Sequence, residues 1–394
     1  MDRPAALSYA SEIRLLYRTA MVVFLVTVGI GILNGLDVVD FGRDTILTHV
    51  HAGTLGWISL SVFGFTLWTL GSRETALGRG GAILAAVAVP VYVVAFWTGG
   101  LVFTAISGTA VLLAVYAFTR FALVEYRSSQ KRTPQLAVAA ALVTLAIGST
   151  IGVLIQIERA VGDVFLPSDS IGGHAGAQVV GYLVLMGMAI AEWALLPDAP
   201  RTRAATWQVA LLFAGGLLTS IGALTGSEPL LGIFIPLELA ALAIFLVRLL
   251  PRLTRVRWSE RGPERQFGLV VPFLVANVIL LVVLIAGVIS GKYEDFDLIP
   301  PWLVFAFDHA MFLGVMTNGL IGLGMLLAGD RRLWGWPADV AFWGVNVGLI
   351  GFVIGLMLES AVLKRISTPV MGTSILISLA VVWIRLATAR TAST

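Results

Sequence analysis

Apolar residues run along this chain in unbroken blocks of roughly 20, and short polar stretches between the blocks hold most of the charge. A block of that length crosses the roughly 30 Å hydrocarbon core of a bilayer as one helix. Twelve blocks are legible, at about 16–36, 45–70, 80–97, 101–124, 135–157, 171–196, 205–225, 229–249, 267–290, 301–328, 338–359 and 367–388. Gly99-Gly100 divides the third from the fourth. The pattern predicts an all-α, polytopic membrane protein of about twelve transmembrane helices, folded as a single membrane domain over residues 1–394.

Composition narrows the class further. With 58% hydrophobic and 12% charged residues and a mean hydropathy of +0.93, the chain lies outside the range of soluble domains. Its Lys and Arg side chains are strongly sided. With the N-terminus inside, only Arg43, Arg159, Lys292, Lys364 and Arg365 fall in outer loops. The inner segments carry the other 21, including Arg3, Arg14, Arg18, Arg331, Arg332, Arg385 and Arg390. Both termini are therefore expected in the cytoplasm. The basic balance suits anionic lipid at the inner leaflet and gives no reason to expect nucleic acid. Residues Met1 to Tyr17 are polar and show no cleavable signal. Cysteine is absent, which excludes disulfides, thiolate metal sites, iron–sulfur clusters and covalently attached heme.

The candidate chemistry lies in four histidines. His51, His174 and His309 open the strings HAGTLGW, HAGAQVVG and HAMFLGV near the starts of the second, sixth and tenth blocks. Those blocks all run from outside to inside, so the three imidazoles share a depth in the outer part of the membrane. Their spacing divides the chain into three four-helix pseudo-repeats, 1–133, 134–265 and 266–394. His49 stands two residues before His51, about 200° around the helix, so the two serve different sites or only one is a ligand. Alanine and glycine beside the ligands permit close approach of a flat macrocycle, and they equally permit ordinary helix packing.

The stretch HVHAGTLGWISLSVFG at 49–64 resembles the helix of cbb-type heme–copper oxidase catalytic subunits that carries a His-x-His pair. Twelve helices in three four-helix arcs with ligands in the outer half are also similar to that superfamily. The resemblance implies metal binding at His49, His51, His174 and His309, a non-covalent heme b with at least one bis-histidine site, electron transfer, and a bacterial inner membrane location. It also implies an electron donor such as a quinol or a cytochrome, and additional subunits. Two placements stay open. Rotated matching makes His51 and His174 the low-spin pair, His49 the high-spin ligand and His309 a copper-site remnant. Direct matching makes His51 and His309 the low-spin pair and His174 the remnant. Lys364 and Arg365 resemble the propionate-binding basic residues of the family, which favours direct matching, and Trp57 lies where it can stack beside a porphyrin.

The departures are as informative. Copper of the oxidase kind needs adjacent histidines on the helix that follows, and neither the seventh nor the eleventh block has any. Copper is thus not expected, and four-electron oxygen reduction with it. A divergent member similar to the NnrS-like membrane heme proteins is expected instead, in which a second heme at His49 would bind nitric oxide or dioxygen. The competing class is a twelve-helix proton-coupled transporter or binding protein whose histidines line a pathway. Glu238, in mid-block, reads as a proton carrier or as a neutral carboxyl bonded to backbone. Glu192 reads as interfacial, Asp308 as an acceptor for the His309 imidazole or as a group facing the aqueous side, and Asn277, Asn318 and Asn346 as interhelical hydrogen-bonding groups or as ordinary packing residues.

Overall fold

The computed structural model describes residues 8–293, 298–329 and 335–388. Twelve of its helices are long and apolar enough to cross a membrane: α1 Ala10–Gly35, α2 Arg43–Leu70, α3 Ala76–Thr98, α4 Leu101–Ser128, α5 Thr133–Val161, α6 Ser170–Leu195, α7 Arg203–Thr225, α8 Glu228–Leu253, α9 Pro263–Val288, α10 Pro301–Ala328, α11 Trp336–Met357 and α12 Ala361–Ala387. Each coincides with one predicted block, and the described residues contain no strand. Arg3, Arg331, Arg332 and Arg390, counted above among the inner cations, lie outside the described residues.

Two helices start six residues earlier than the apolar blocks suggest, the largest differences of the twelve. Ahead of its block, α1 gains an amphipathic turn whose Tyr9, Ile13, Leu16 and Tyr17 fall on one buried stripe, at 0–1% exposure. A search for continuous apolar runs passes over such a stripe because Glu12 and Arg14 interrupt it. α12 begins at Ala361, which draws Lys364 and Arg365 out of the expected loop and into its first turns. Between α3 and α4 the chain reverses at Gly99, whose φ of 67° is a left-handed conformation open to glycine.

α2, α6 and α10 are the most enclosed helices, with 72%, 83% and 78% of their spans buried, against 28–56% for the other nine. They are also among the less apolar, with mean hydropathy of 1.3, 1.5 and 1.8. A helix facing lipid must be apolar around its rim, whereas one screened by its neighbours can carry polar side chains. These three carry all four histidines.

The chain forms two compact units. One comprises Met1–Val23 with Val50–Thr254, the other Phe24–His49 with Arg255–Thr394. In the first, α4 packs against α3 and α5, and α7 against α6 and α8. A closed polar ring ties α6, α7 and α8. Arg248 donates from both terminal nitrogens to Glu192, at 2.6 and 2.9 Å, and at 2.6 Å to the Gln208 carbonyl, while the Gln208 amide returns to Glu192 at 2.8 Å. Glu192 is 2% exposed, so the interfacial role expected of it is replaced by a buried, bidentate ion pair. In the second unit Asn318 and Asn346 exchange amide hydrogen bonds between α10 and α11 at 2.7 and 3.1 Å. Asn277 donates to the Phe307 carbonyl at 2.8 Å. Buried Arg265 bonds Asp339 at 3.0 Å and lies over the Phe342 ring.

Candidate functional site

Each enclosed helix changes its winding just after its histidine. π-helical segments occupy Ala52–Ser59 behind His51, Gly176–Leu183 two residues beyond His174, and Ala310–Thr317 behind His309. In the π form the backbone N–H reaches back five residues, and insertions of this kind concentrate at functional positions. Hydroxyls close two of the segments in the same way: Ser59 donates to the Thr54 carbonyl at 2.9 Å and Thr317 to the Phe312 carbonyl at 2.7 Å, each five residues back. Nothing in the apolar pattern announces this winding. The recurrence of a hydroxyl eight residues after His51, His174 and His309, as Ser59, Tyr182 and Thr317, is the one sequence signal that accompanies it.

The imidazoles are held in two ways. His49 and His174 each reach the preceding helix. His49 Nδ1 lies 2.9 Å from the Thr27 carbonyl on α1, and His174 Nδ1 lies 2.7 Å from the Gly148 carbonyl on α5. A carbonyl only accepts, so Nδ1 carries the proton in both rings and Nε2 keeps its lone pair. Inside a helix a carbonyl already accepts from the residue four ahead, and a side chain there would cover its second lone pair. That residue is Gly31 for Thr27 and Gly152 for Gly148. A Cβ on Gly31 would sit 3.1 Å from His49 Cε1, and one on Gly152 would sit 2.9 Å from His174 Cε1 and Nδ1. Thr27 also donates its hydroxyl to the His49 carbonyl at 3.1 Å, closing a two-way clasp. The glycines and their carbonyls escape a search for ligand motifs, although the pairs 27/31 and 148/152 share one spacing in the blocks before the histidines.

His51 and His309 instead rest against phenylalanine of the following helix. His51 stacks on Phe96 of α3 with centroids 3.9 Å apart and presents its edge to Tyr92 at 6.0 Å. His309 lies 4.8 Å from Phe352 of α11, tilted by 47°. Its Nδ1 donates to the Phe305 carbonyl one turn back on its own helix, at 2.8 Å. That bond takes the place of the one expected to Asp308, which has no hydrogen-bond partner among the described residues. Nε2 of His49, His174 and His309 likewise makes no hydrogen bond to any described residue.

Each unit thus contains one imidazole of each kind, His174 with His51 in the first and His49 with His309 in the second. In the first, α6 meets α2 where Tyr182 donates its phenol proton to Ser59 Oγ at 3.3 Å. Both residues stand eight beyond their histidines. Consecutive spanning helices alternate in direction, so α2 and α6 run parallel, and the contact keeps His51 and His174 in register.

Other expected residues are placed as follows. Trp57 is 2% exposed and packs edge-on against Tyr17 of α1, with centroids 6.3 Å apart. Lys364 and Arg365 both bind Asp37 in the α1–α2 loop, at 2.8 and 3.1 Å. These bonds, Lys364 first and then Arg365, hold the Asp37 carboxyl below the ordinary aspartate range. Glu238 is buried with no partner for its Oε1, which is at odds with a carboxyl anchored to the backbone.

The donor chemistry admits one kind of metal group better than others. Among the described residues no cluster of three or more His, Asp or Glu is placed to hold a bare ion. An imidazole whose Nδ1 is bonded to a carbonyl, as in His49, His174 and His309, could serve through Nε2 as a donor to a metal that already has other ligands, as in a heme. No protein-family model matches this chain, and no curated protein matches it.

Proposed function

We propose that this chain is a membrane b-type heme protein related to heme–copper oxidase subunit I, lacking the copper site, in which His51 and His174 would hold a low-spin heme in the first unit. The observation that carries the reading is His174: its Nδ1–H is bonded to the Gly148 carbonyl, its Nε2 has no hydrogen-bond partner, and it is held level with His51 through Tyr182 and Ser59. Donation from Nδ1 to a carbonyl fixes the ring plane and raises the basicity of Nε2, as second-shell acceptors do for metal-bound histidine. Gly152 keeps the imidazole against α5, and Phe96 restrains the other ring from the α3 side.

A heme bound there would supply one-electron transfer. The residues around it contribute orientation, a fixed proton position and a low-dielectric surround that tunes the potential. Positive-inside sidedness puts this site toward the outer face, with both termini in the cytoplasm of a bacterial cell. An outward site is open to a donor such as a quinol in the bilayer or a cytochrome at its surface.

The test is optical. Protein purified from a heme-supplied membrane should show the sharp reduced bands of six-coordinate b heme, and His51→Ala or His174→Ala should remove the first-unit signal while the chain stays monodisperse in detergent. A folded wild-type chain with no heme absorbance would exclude this function and favour the transporter class.

A further inference from the structure

Glu238 is a buried carboxyl of the first unit that the proposed heme site does not use. It stands about 15 Å of helix rise from Glu228 at one end of α8 and about 22 Å from Leu253 at the other, deep in the hydrocarbon layer. The buried residues of this helix are Phe234, Glu238, Ala241, Leu242, Phe245 and Leu249, and steps of three and four put them on one face. α8 packs against α7 and against the Val184–Leu195 part of α6. Glu238, at 2% exposure, therefore faces protein and not lipid.

The opposing surface has nothing to bond it. α7 meets this turn of α8 with Gly215, on which a Cβ would sit 3.8 Å from the Phe234 carbonyl and 3.9 Å from Leu237 Cβ. Its buried Leu212, one turn earlier, is apolar. The titratable groups on the packed elements stand elsewhere: Arg203 in the first turn of α7, Glu192 on α6, and Glu228, Arg248 and Arg252 on α8. Glu192 and Arg248 hold each other, and Arg248 is about 15 Å of helix rise from Glu238. Glu238 Oε1 is thus buried without a hydrogen bond, and no cation pairs with the carboxyl among the described residues. An ionised carboxylate without donors or counter-charge is not sustained in such a place, so the group holds a proton. A metal cation would need several further oxygen ligands, and no such cluster exists among the described residues. Pro236, two residues away, has no N–H to give the Gly232 carbonyl, which loosens α8 beside the carboxyl.

We propose that Glu238 is a proton-exchange site, a carboxyl neutral at rest whose proton passes to and from water through the loosened turn of α8. This does not rest on the heme reading.

The test uses the full chain in phospholipid vesicles and dicyclohexylcarbodiimide, an apolar reagent that attacks protonated carboxyls within a bilayer. The carboxyl proton moves to one carbodiimide nitrogen, the carboxylate oxygen bonds the central carbon, and the acyl group then migrates from oxygen to nitrogen, leaving an N-acylurea with no atom lost. Peptide mapping should place the label on Glu238, in a yield that falls as pH rises. Infrared spectra should show the carbonyl stretch of a neutral carboxylic acid that shifts on transfer to D2O. Glu238→Gln, which matches the neutral acid in shape, should remove label and band, and Glu238→Asp should retain both. A folded wild-type chain without label at Glu238, or with a band unmoved by D2O, overturns the proposal and leaves a closed structural carboxyl. Heme measured on the same samples separates the two readings: heme with an unlabelled Glu238 overturns only this site, and a labelled Glu238 without heme overturns only the heme.

Discussion

Gly152 and His174 meet across α5 and α6 so closely that a methyl group on the glycine would lie 2.9 Å from two atoms of the imidazole. Real Cβ atoms do not approach that near, so Gly152→Ala forces the ring away from the Gly148 carbonyl. We expect the substitution to weaken heme retention by about 10–100-fold, the usual cost of a lost second-shell partner, with the fold intact. Gly31→Ala, 3.1 Å from His49, acts on an imidazole outside the first-unit site and should leave heme retention close to wild type. Heme remaining after exhaustive detergent dialysis reads both; unchanged retention in Gly152→Ala would show that the carbonyl bond does not orient the ligand.

Arg248 is nearly enclosed by Glu192 and Gln208. Removing it by Arg248→Ala leaves a buried carboxylate and amide without their donor, which should destabilise the chain by about 3–5 kcal/mol. Replacing the set together, with Glu192→Met, Gln208→Leu and Arg248→Met, should be close to neutral because the desolvation cost disappears with the charges. Denaturant titration in detergent distinguishes the two. A small loss for Arg248→Ala alone would mean that water reaches the ring.

Asp37 ties the α1–α2 loop to α12 through Lys364 and Arg365. Its folded carboxyl is held low, so its contribution to stability is present above the ordinary aspartate pKa and vanishes as pH falls through the lowered folded value. Asp37→Asn should therefore melt slightly below wild type at neutral pH and equal it in strong acid. High salt should shrink the neutral-pH gap as well, since the pair is at the surface. A gap that grows on acidification would reverse the sign and defeat the assignment.

Asn318 and Asn346 satisfy each other across α10 and α11. Asn346→Ala takes the donor from Asn318 Oδ1, while Asn318 Nδ2 keeps the Gly314 carbonyl, and should cost about 1–2 kcal/mol, the upper part of the range for interhelical hydrogen bonds in membranes. A double-mutant cycle with Asn318→Ala should return a coupling of similar size. Additive losses would mean that each amide finds another partner.

The twelve spans could be read because length and apolarity are tested locally, against the thickness of a bilayer. The histidines stood out for a similar reason: few polar groups are tolerated in such blocks. Glu192 shows where that reading stops. Its place near a helix end suggested the interface, yet its partners, Gln208 and Arg248, stand 16 and 56 residues away and meet it only through packing. Lys364 and Arg365 moved from a loop into α12 because a helix extends past its apolar block once its early turns find contacts, here Asp37 at the other end of the chain.

Sequence alone determined that this is an all-α protein with twelve helices long and apolar enough to cross a membrane, and that its four imidazoles stand in three of them, because both follow from the energy of placing residues in hydrocarbon. Tertiary structure decided the rest: the carbonyls of the preceding helices that face His49 and His174, the glycines that seat those two rings, and the division of the four histidines, two to each unit. Those depend on which carbonyl faces which ring, and helices distant in sequence set that by packing. No run of neighbouring residues encodes it.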